Sequence, residues 1–171
     1  MKKIFMMLAL CLPLIFAACG DKNEDGDDFL FVDYAPVEFY ISLENYKGVD
    51  LLNAENEGAV DMDAIKLFYE EKTYVLNPEI DPQATRAYFA HFEGMKLQKI
   101  DGKYRIYVGE FDGSPSSNRG DFAIEWGDGS RDYFSYTNVK VGKYDVDHNF
   151  FHNGKPVKSG KYPYVSITVI K

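Results

Sequence analysis

Two histidines four residues apart, His148 and His152, are the first side chains in this chain that suggest chemistry. On a helix that spacing sets two imidazoles on one face as metal ligands. Here Tyr144, Val146, His148, Phe150 and His152 alternate with Asp145, Asp147 and Asn149, which is the period of a strand. A strand keeps both rings on one face but about 13 Å apart, too far to share one ion. His91 stands alone. Among the carboxylates, Glu110 and Glu125 fall beside loops, and nothing in the sequence couples them as the acid and base of glycoside hydrolysis. Asp128, Asp132, Asp145 and Asp147 are hard oxygen donors near loops and suit calcium, although their spacing is not that of an EF-hand. A solvated acidic surface explains the same residues. The chain has no Gly-x-Ser-x-Gly elbow and no glycine-rich phosphate loop. The expectation is therefore a non-enzyme without catalytic residues, metal ligands or a cofactor. What remains are aromatic side chains expected on outer faces: Tyr40, Tyr107, Phe111, Tyr133 and Tyr136. Such rings stack on sugar faces while Asp and Asn bond the hydroxyls, or else they pack against the sheets or a partner.

The elements that must position these residues read as strands. From Ala35 to Glu44, Val37, Phe39, Ile41 and Leu43 alternate with Glu38, Tyr40, Ser42 and Glu44, a half-buried strand. Ile65, Leu67 and Tyr69 alternate with Lys66, Phe68 and Glu70, and Glu71-Lys72 turns the chain into Thr73–Leu76; a helix over Asp63–Glu71 is the alternative. Asn77–Gly94, with Pro78 and Pro82 and no clean period, reads as a crossover with one helical turn near Arg86–Phe92. Three hairpins follow at Asp101-Gly102, Gly127-Asp128-Gly129-Ser130 and Asn153-Gly154, where glycine and Asx residues tolerate positive φ. Gly113–Gly120 is a polar loop, and Tyr162–Ile170 alternates as the last strand. These features predict an all-β, antiparallel β-sandwich over residues 35–171. Trp126 is expected to fill the core between the sheets with its indole N–H on a carbonyl.

Charge and cysteines narrow the partners. Lys2 and Lys3, an apolar run from Ile4 to Phe16 and then Ala17-Ala18-Cys19 describe a secretory signal, too short and wrongly flanked for a membrane span. Without residues 1–18 the chain carries 17 basic and 27 acidic groups, which argues against a nucleic-acid partner. Residues 19–34 hold the cysteine and the acidic run Gly20–Asp28, a solvated linker.

The Ala17-Ala18-Cys19 ending resembles the bacterial lipobox. That resemblance implies lipidation of Cys19 after cleavage at Ala18, and membrane contact through the acyl chains. The acids that follow resemble the export signal of Bacteroidetes lipoproteins carried to the outer face of the outer membrane. Ile124-Glu125-Trp126-Gly127-Asp128-Gly129-Ser130 looks like the turn of PKD domains, immunoglobulin-like modules that end in a Gly-x-Tyr and an alternating strand. Gly160-Lys161-Tyr162 or Gly142-Lys143-Tyr144 would match that ending here. The whole layout, with Gly48-Val49-Asp50-Leu51-Leu52 and the later Trp126-Gly127-Asp128-Gly129 turn, resembles small uncharacterised Bacteroidetes cell-envelope lipoproteins. These likenesses imply an immunoglobulin-like form of the sandwich, and a surface-exposed, lipid-anchored protein of the outer membrane with a non-catalytic binding role. Its partner would be a polysaccharide, or an envelope protein to which it is a structural subunit.

Overall fold

The structure, a computed structural model, describes residues 32–77 and 90–171. Ten strands form within it: β1 Val37–Glu44, β2 Ile65–Tyr69, β3 Lys72–Val75, β4 Met95–Ile100, β5 Lys103–Phe111, β6 Arg119–Trp126, β7 Arg131–Lys140, β8 Val146–His152, β9 Lys155–Gly160 and β10 Tyr164–Ile170. They build a four-stranded sheet, β10-β1-β5-β4, and a six-stranded sheet, β3-β2-β6-β7-β8-β9. The fold is the expected all-β sandwich. Between Asp63 and Glu71 the strand reading holds; helical geometry is limited to a single 3-10 turn, Met62–Ala64, which the Asp61 side chain caps. The helical turn expected near Arg86–Phe92 lies mostly outside the described residues.

The three hairpins fall where glycine and Asx residues allowed them. Asp101-Gly102 and Asn153-Gly154 take φ of 52° and 82°, and of 48° and 76°, the paired positive values of a two-residue turn. A departure from the antiparallel expectation is that β1 and β10 pair in parallel, Glu38 to Glu44 beside Tyr164 to Ile170. Asp50 ties the β1–β2 connection to the same sheet: its carboxylate accepts from Leu52 N and Tyr104 N, both at 2.9 Å. That clamp holds Leu51 and Leu52 in the core.

Aromatic rings join the sheets. Phe39 of β1 meets Phe122 and Phe150 of the opposite sheet edge-on, with centroids 4.9 and 5.3 Å away. Edge-on packing suits the ring quadrupoles and adds about 1 kcal/mol per pair beyond burial. Across the six-stranded sheet Phe122, Phe134 and His152 stand opposite one another in register and stack at 5.1 and 5.0 Å. Tyr136 lies over Gly120, where a Cβ would come within 2.4 Å of its ring.

Candidate functional site

Of the five aromatics expected on outer faces, the structure leaves one prominently exposed. Phe111 and Tyr136 are core residues, 2% exposed each. Phe111 turns inward because the β1–β5 register shifts between Val37 and Phe39, and one extra residue on β5 reverses the side-chain alternation. Tyr136 faces inward with Asp132, Phe134 and Asn138, the parity opposite to Tyr133. Burial pushes its phenol up to about 12. Tyr107 and Tyr40 do occupy the outer face of the four-stranded sheet, but as a closed set. Tyr107 lies across Gly109, and both phenols donate to Glu38, at 3.1 and 2.9 Å. Partial burial, and then the Glu38 bond, raise the Tyr40 phenol to about 12; burial and the Glu38 charge raise Tyr107 as well. Tyr133, 58% exposed, stands on the outer face of the other sheet, its hydroxyl bonded by the Arg131 guanidinium.

Tyr133 borders a groove of 330 Å³ on the outer face of the six-stranded sheet, near the lower end of ligand-sized cavities. The register explains it. Ala123 of β6 stands opposite Phe68 of β2 on one side and opposite Tyr133 of β7 on the other. Two rings thus flank a methyl group, their backbones about 10 Å apart at ordinary strand spacing. Arg131, two residues before Tyr133 and on the same face, lays its guanidinium 4.3 Å above the Phe68 ring. Glu125 holds that guanidinium at 2.7 Å and favours its charged form. The rim is completed by Asp121, Lys72, Thr73 and the β2–β3 turn. In that turn Glu70 and Glu71 take φ of 47° and 62°, left-handed angles that side-chain-bearing residues adopt at a cost of about 1 kcal/mol each. Strain of this kind gathers at functional positions.

Beneath the groove, on the inner side of β7, lies a buried carboxylate. Asp132 separates Arg131 from Tyr133 and is 7% exposed. It accepts from Trp126 Nε1 at 2.7 Å, His152 Nε2 at 2.8 Å and Asn153 Nδ2 at 2.7 Å, with Lys171 Nζ at 3.4 Å. Burial alone would raise its pKa, but the Asn153, His152 and Trp126 bonds with the Lys171 charge outweigh this and hold it below the usual carboxylate value. The indole therefore binds a side-chain carboxylate where the sequence led to the expectation of a carbonyl. Asn153 also bonds both backbone groups of Tyr133, at 2.9 and 2.7 Å. This hub fixes the piece of β7 from which Arg131 and Tyr133 project.

The other sequence candidates serve the fold. His148 and His152 share the inner side of β8, as the strand reading requires. His148 Nδ1 meets Asn138 Oδ1 at 2.9 Å, and burial lowers its pKa. The Asn138 amide donates to the carbonyls of Asp112, Ser114 and Ser117, which pins the loop after β5. Asp128 accepts from Ser130 N at 2.8 Å inside its turn, and the Ser130 hydroxyl lowers its pKa. Asp145 lies 3.5 Å from Lys161. Among the described residues no three His, Cys, Asp or Glu side chains converge as a metal site, and no helix is long and apolar enough to cross a membrane. Glu110 and Glu125 stand on different sheets, and Glu125 is engaged by Arg131. Cys19 lies outside the described residues. Sequence reading passed over Phe68, although the alternation of β2 had already set it on the polar side with Lys66. No protein-family model, curated protein or solved structure matches the chain.

Proposed function

We propose that this is a lipid-anchored cell-envelope protein whose sandwich binds a glycan, without catalysis, in the groove on its six-stranded sheet. The observation that carries the reading is the row Phe68, Ala123, Tyr133 with Arg131 laid on Phe68. A pyranose ring has an apolar face of C–H groups and a rim of hydroxyls. The exposed Tyr133 ring offers a stacking surface and Ala123 leaves space beside it, while the Arg131 fork, Asp121 and Thr73 supply donors and acceptors for hydroxyls. Glu70, Glu71 and Asp121 outnumber Lys72 and Arg131 at the rim, and Glu125 already offsets the guanidinium. Anionic sugars are thus disfavoured and a neutral polysaccharide is the ligand class. Anchoring is supported by the small-small-Cys ending at Cys19, and the acidic run after it would space the domain from the lipid surface.

Affinity electrophoresis through gels containing neutral polysaccharides tests the binding. The wild-type chain should be retarded in at least one such gel, and Tyr133→Ala should remove most of the retardation. Loss of one stacked ring, worth about 1.4 kcal/mol, weakens binding about tenfold. Unchanged mobility of the wild type in every glycan gel defeats the proposal.

A further inference from the structure

Each sheet ends in two edge strands, and among the described residues three of the four are guarded or partly covered, β4 by Leu76 and Asn77, which bond it at Met95 and Leu97. Strand β3 is four residues long and begins with Lys72. Strand β4 holds Lys96 and Lys99. Strand β9 holds Lys155, Pro156 and Lys158, with a register shift opposite Phe150 and Phe151. Short length, lysine, proline and bulges are the ordinary guards of an edge. Strand β10, Tyr-Val-Ser-Ile-Thr-Val-Ile, has none of them: seven residues without charge, proline or glycine. Among the described residues it pairs with β1 alone.

The direction of its open backbone groups follows from the bonds at its two ends. Pro163 O accepts from Glu38 N at 2.8 Å, and Lys171 N donates to Glu44 O at 2.9 Å. Odd-numbered residues therefore bond β1 and bury Val165, Ile167 and Val169, while Tyr164, Ser166, Thr168 and Ile170 turn their backbone groups to the open edge and their side chains to solvent. Tyr164 O is taken by Lys158 Nζ at 2.9 Å, which leaves Ser166 to Ile170 as the open length.

We infer that β10 pairs antiparallel with β10 of a second copy of this chain, joining two four-stranded sheets into one. The strand is self-complementary in the register centred on Ile167. There Ser166 faces Thr168 of the second copy, so hydroxyls meet hydroxyls, and the Tyr164 side chain comes opposite its Ile170 while the Tyr164 carbonyl and ring keep their Lys158 contact. Both pairings are favourable across strands. In that register Ser166 and Thr168 of the two copies, whose backbone groups are open, form hydrogen-bonded pairs on either side of Ile167. A chain of formal charge −8 repels its own copies over most of its surface, and this strip brings no carboxylate to the edge. Lys171 does not oppose the approach, because its ammonium is turned inward to Asp132 and Ser130. The two-fold symmetry of such a contact closes it at a dimer.

The test uses two differently tagged full-length copies, co-expressed, extracted in non-ionic detergent and purified through one tag. Wild-type copies should co-purify. Ser166→Lys/Thr168→Lys in both copies sets lysine against lysine and should abolish co-purification, as should Ser166→Glu/Thr168→Glu in both. The lysine version mixed with the glutamate version should restore it. Emission from Trp126 reports that each variant is folded, since both positions are exposed. Three results overturn the inference: wild-type copies that do not associate, whether or not another protein occupies the edge; like-charged folded variants that associate as well as wild type; or a folded lysine and glutamate mixture that stays apart.

Discussion

Asp132→Ala removes the carboxylate on which the candidate site rests, and its cost can be worked from the contacts. Trp126 is fully buried, so without Asp132 its indole N–H loses its acceptor. A buried donor left unsatisfied costs about 1–3 kcal/mol, toward the upper end when the lost acceptor was charged. His152 and Lys171 keep 21% and 22% of their side chains exposed and can turn to solvent, so each adds only a few tenths. Asn153 loses a bond that helps hold the β8–β9 turn. The sum is about 2–4 kcal/mol. Trp126 is the single tryptophan, so urea titration followed by its emission reads global unfolding directly. The pH dependence has a definite sign. Because the folded carboxyl lies below its unfolded value of about 3.9, its contribution is complete above that pH and fades as pH falls through the folded value. Wild type should thus lose stability toward acid faster than Asp132→Ala does. A variant within about 1 kcal/mol of wild type at neutral pH, with the same acid slope, refutes the assignment of Asp132 as the hub.

Other perturbations separate further parts of the account. Gly120→Ala drives a Cβ to within 2.4 Å of the Tyr136 ring and should lower stability by about 1–3 kcal/mol, read in the same titration. Replacing Glu70-Glu71 with Asn-Gly relieves two left-handed side-chain-bearing residues and should raise the urea midpoint by the equivalent of about 1–2 kcal/mol, while removing carboxylates from the groove rim. His148 has a folded pKa held down by burial, so below about pH 6.5 the unfolded chain takes up protons that the folded chain refuses, and stability falls as pH drops. His148→Gln should flatten that part of the profile. Cys19→Ser should move the protein from membrane to soluble fractions, and unchanged membrane association would remove the anchor from the proposal.

Much of the fold was legible because its signals are local. Alternation along Val37–Leu43 and Val165–Val169 set the buried faces, and Asp101-Gly102 and Asn153-Gly154 set the turns, since few other residues accept those angles. The parallel β1–β10 contact was not legible, because it joins segments far apart in the chain and no short-range pattern encodes it. The site was harder still. Tyr133 and Tyr136 are three residues apart in one strand and so cannot share a face; the period alone required one of them to be inside. Phe111 is different, because the register shift that turns it inward leaves no mark in the hydrophobic pattern. Phe68 was visible as the aromatic on the polar side of β2, but only the pairing through Ala123 brings it beside Tyr133. Asp132 was readable as an acid near a turn. That it lies under Trp126 follows from the inward parity of both residues, six apart across a hairpin.

The central claim is that the outer groove of the six-stranded sheet holds a neutral glycan on Tyr133. A glycan array probed with the full chain and with Tyr133→Ala measures it most directly. Wild-type signal is expected on neutral polysaccharides, with little on sulfated or uronic ones, and the variant should lose it. Silence across the array, or a signal that the variant retains in full, contradicts the claim.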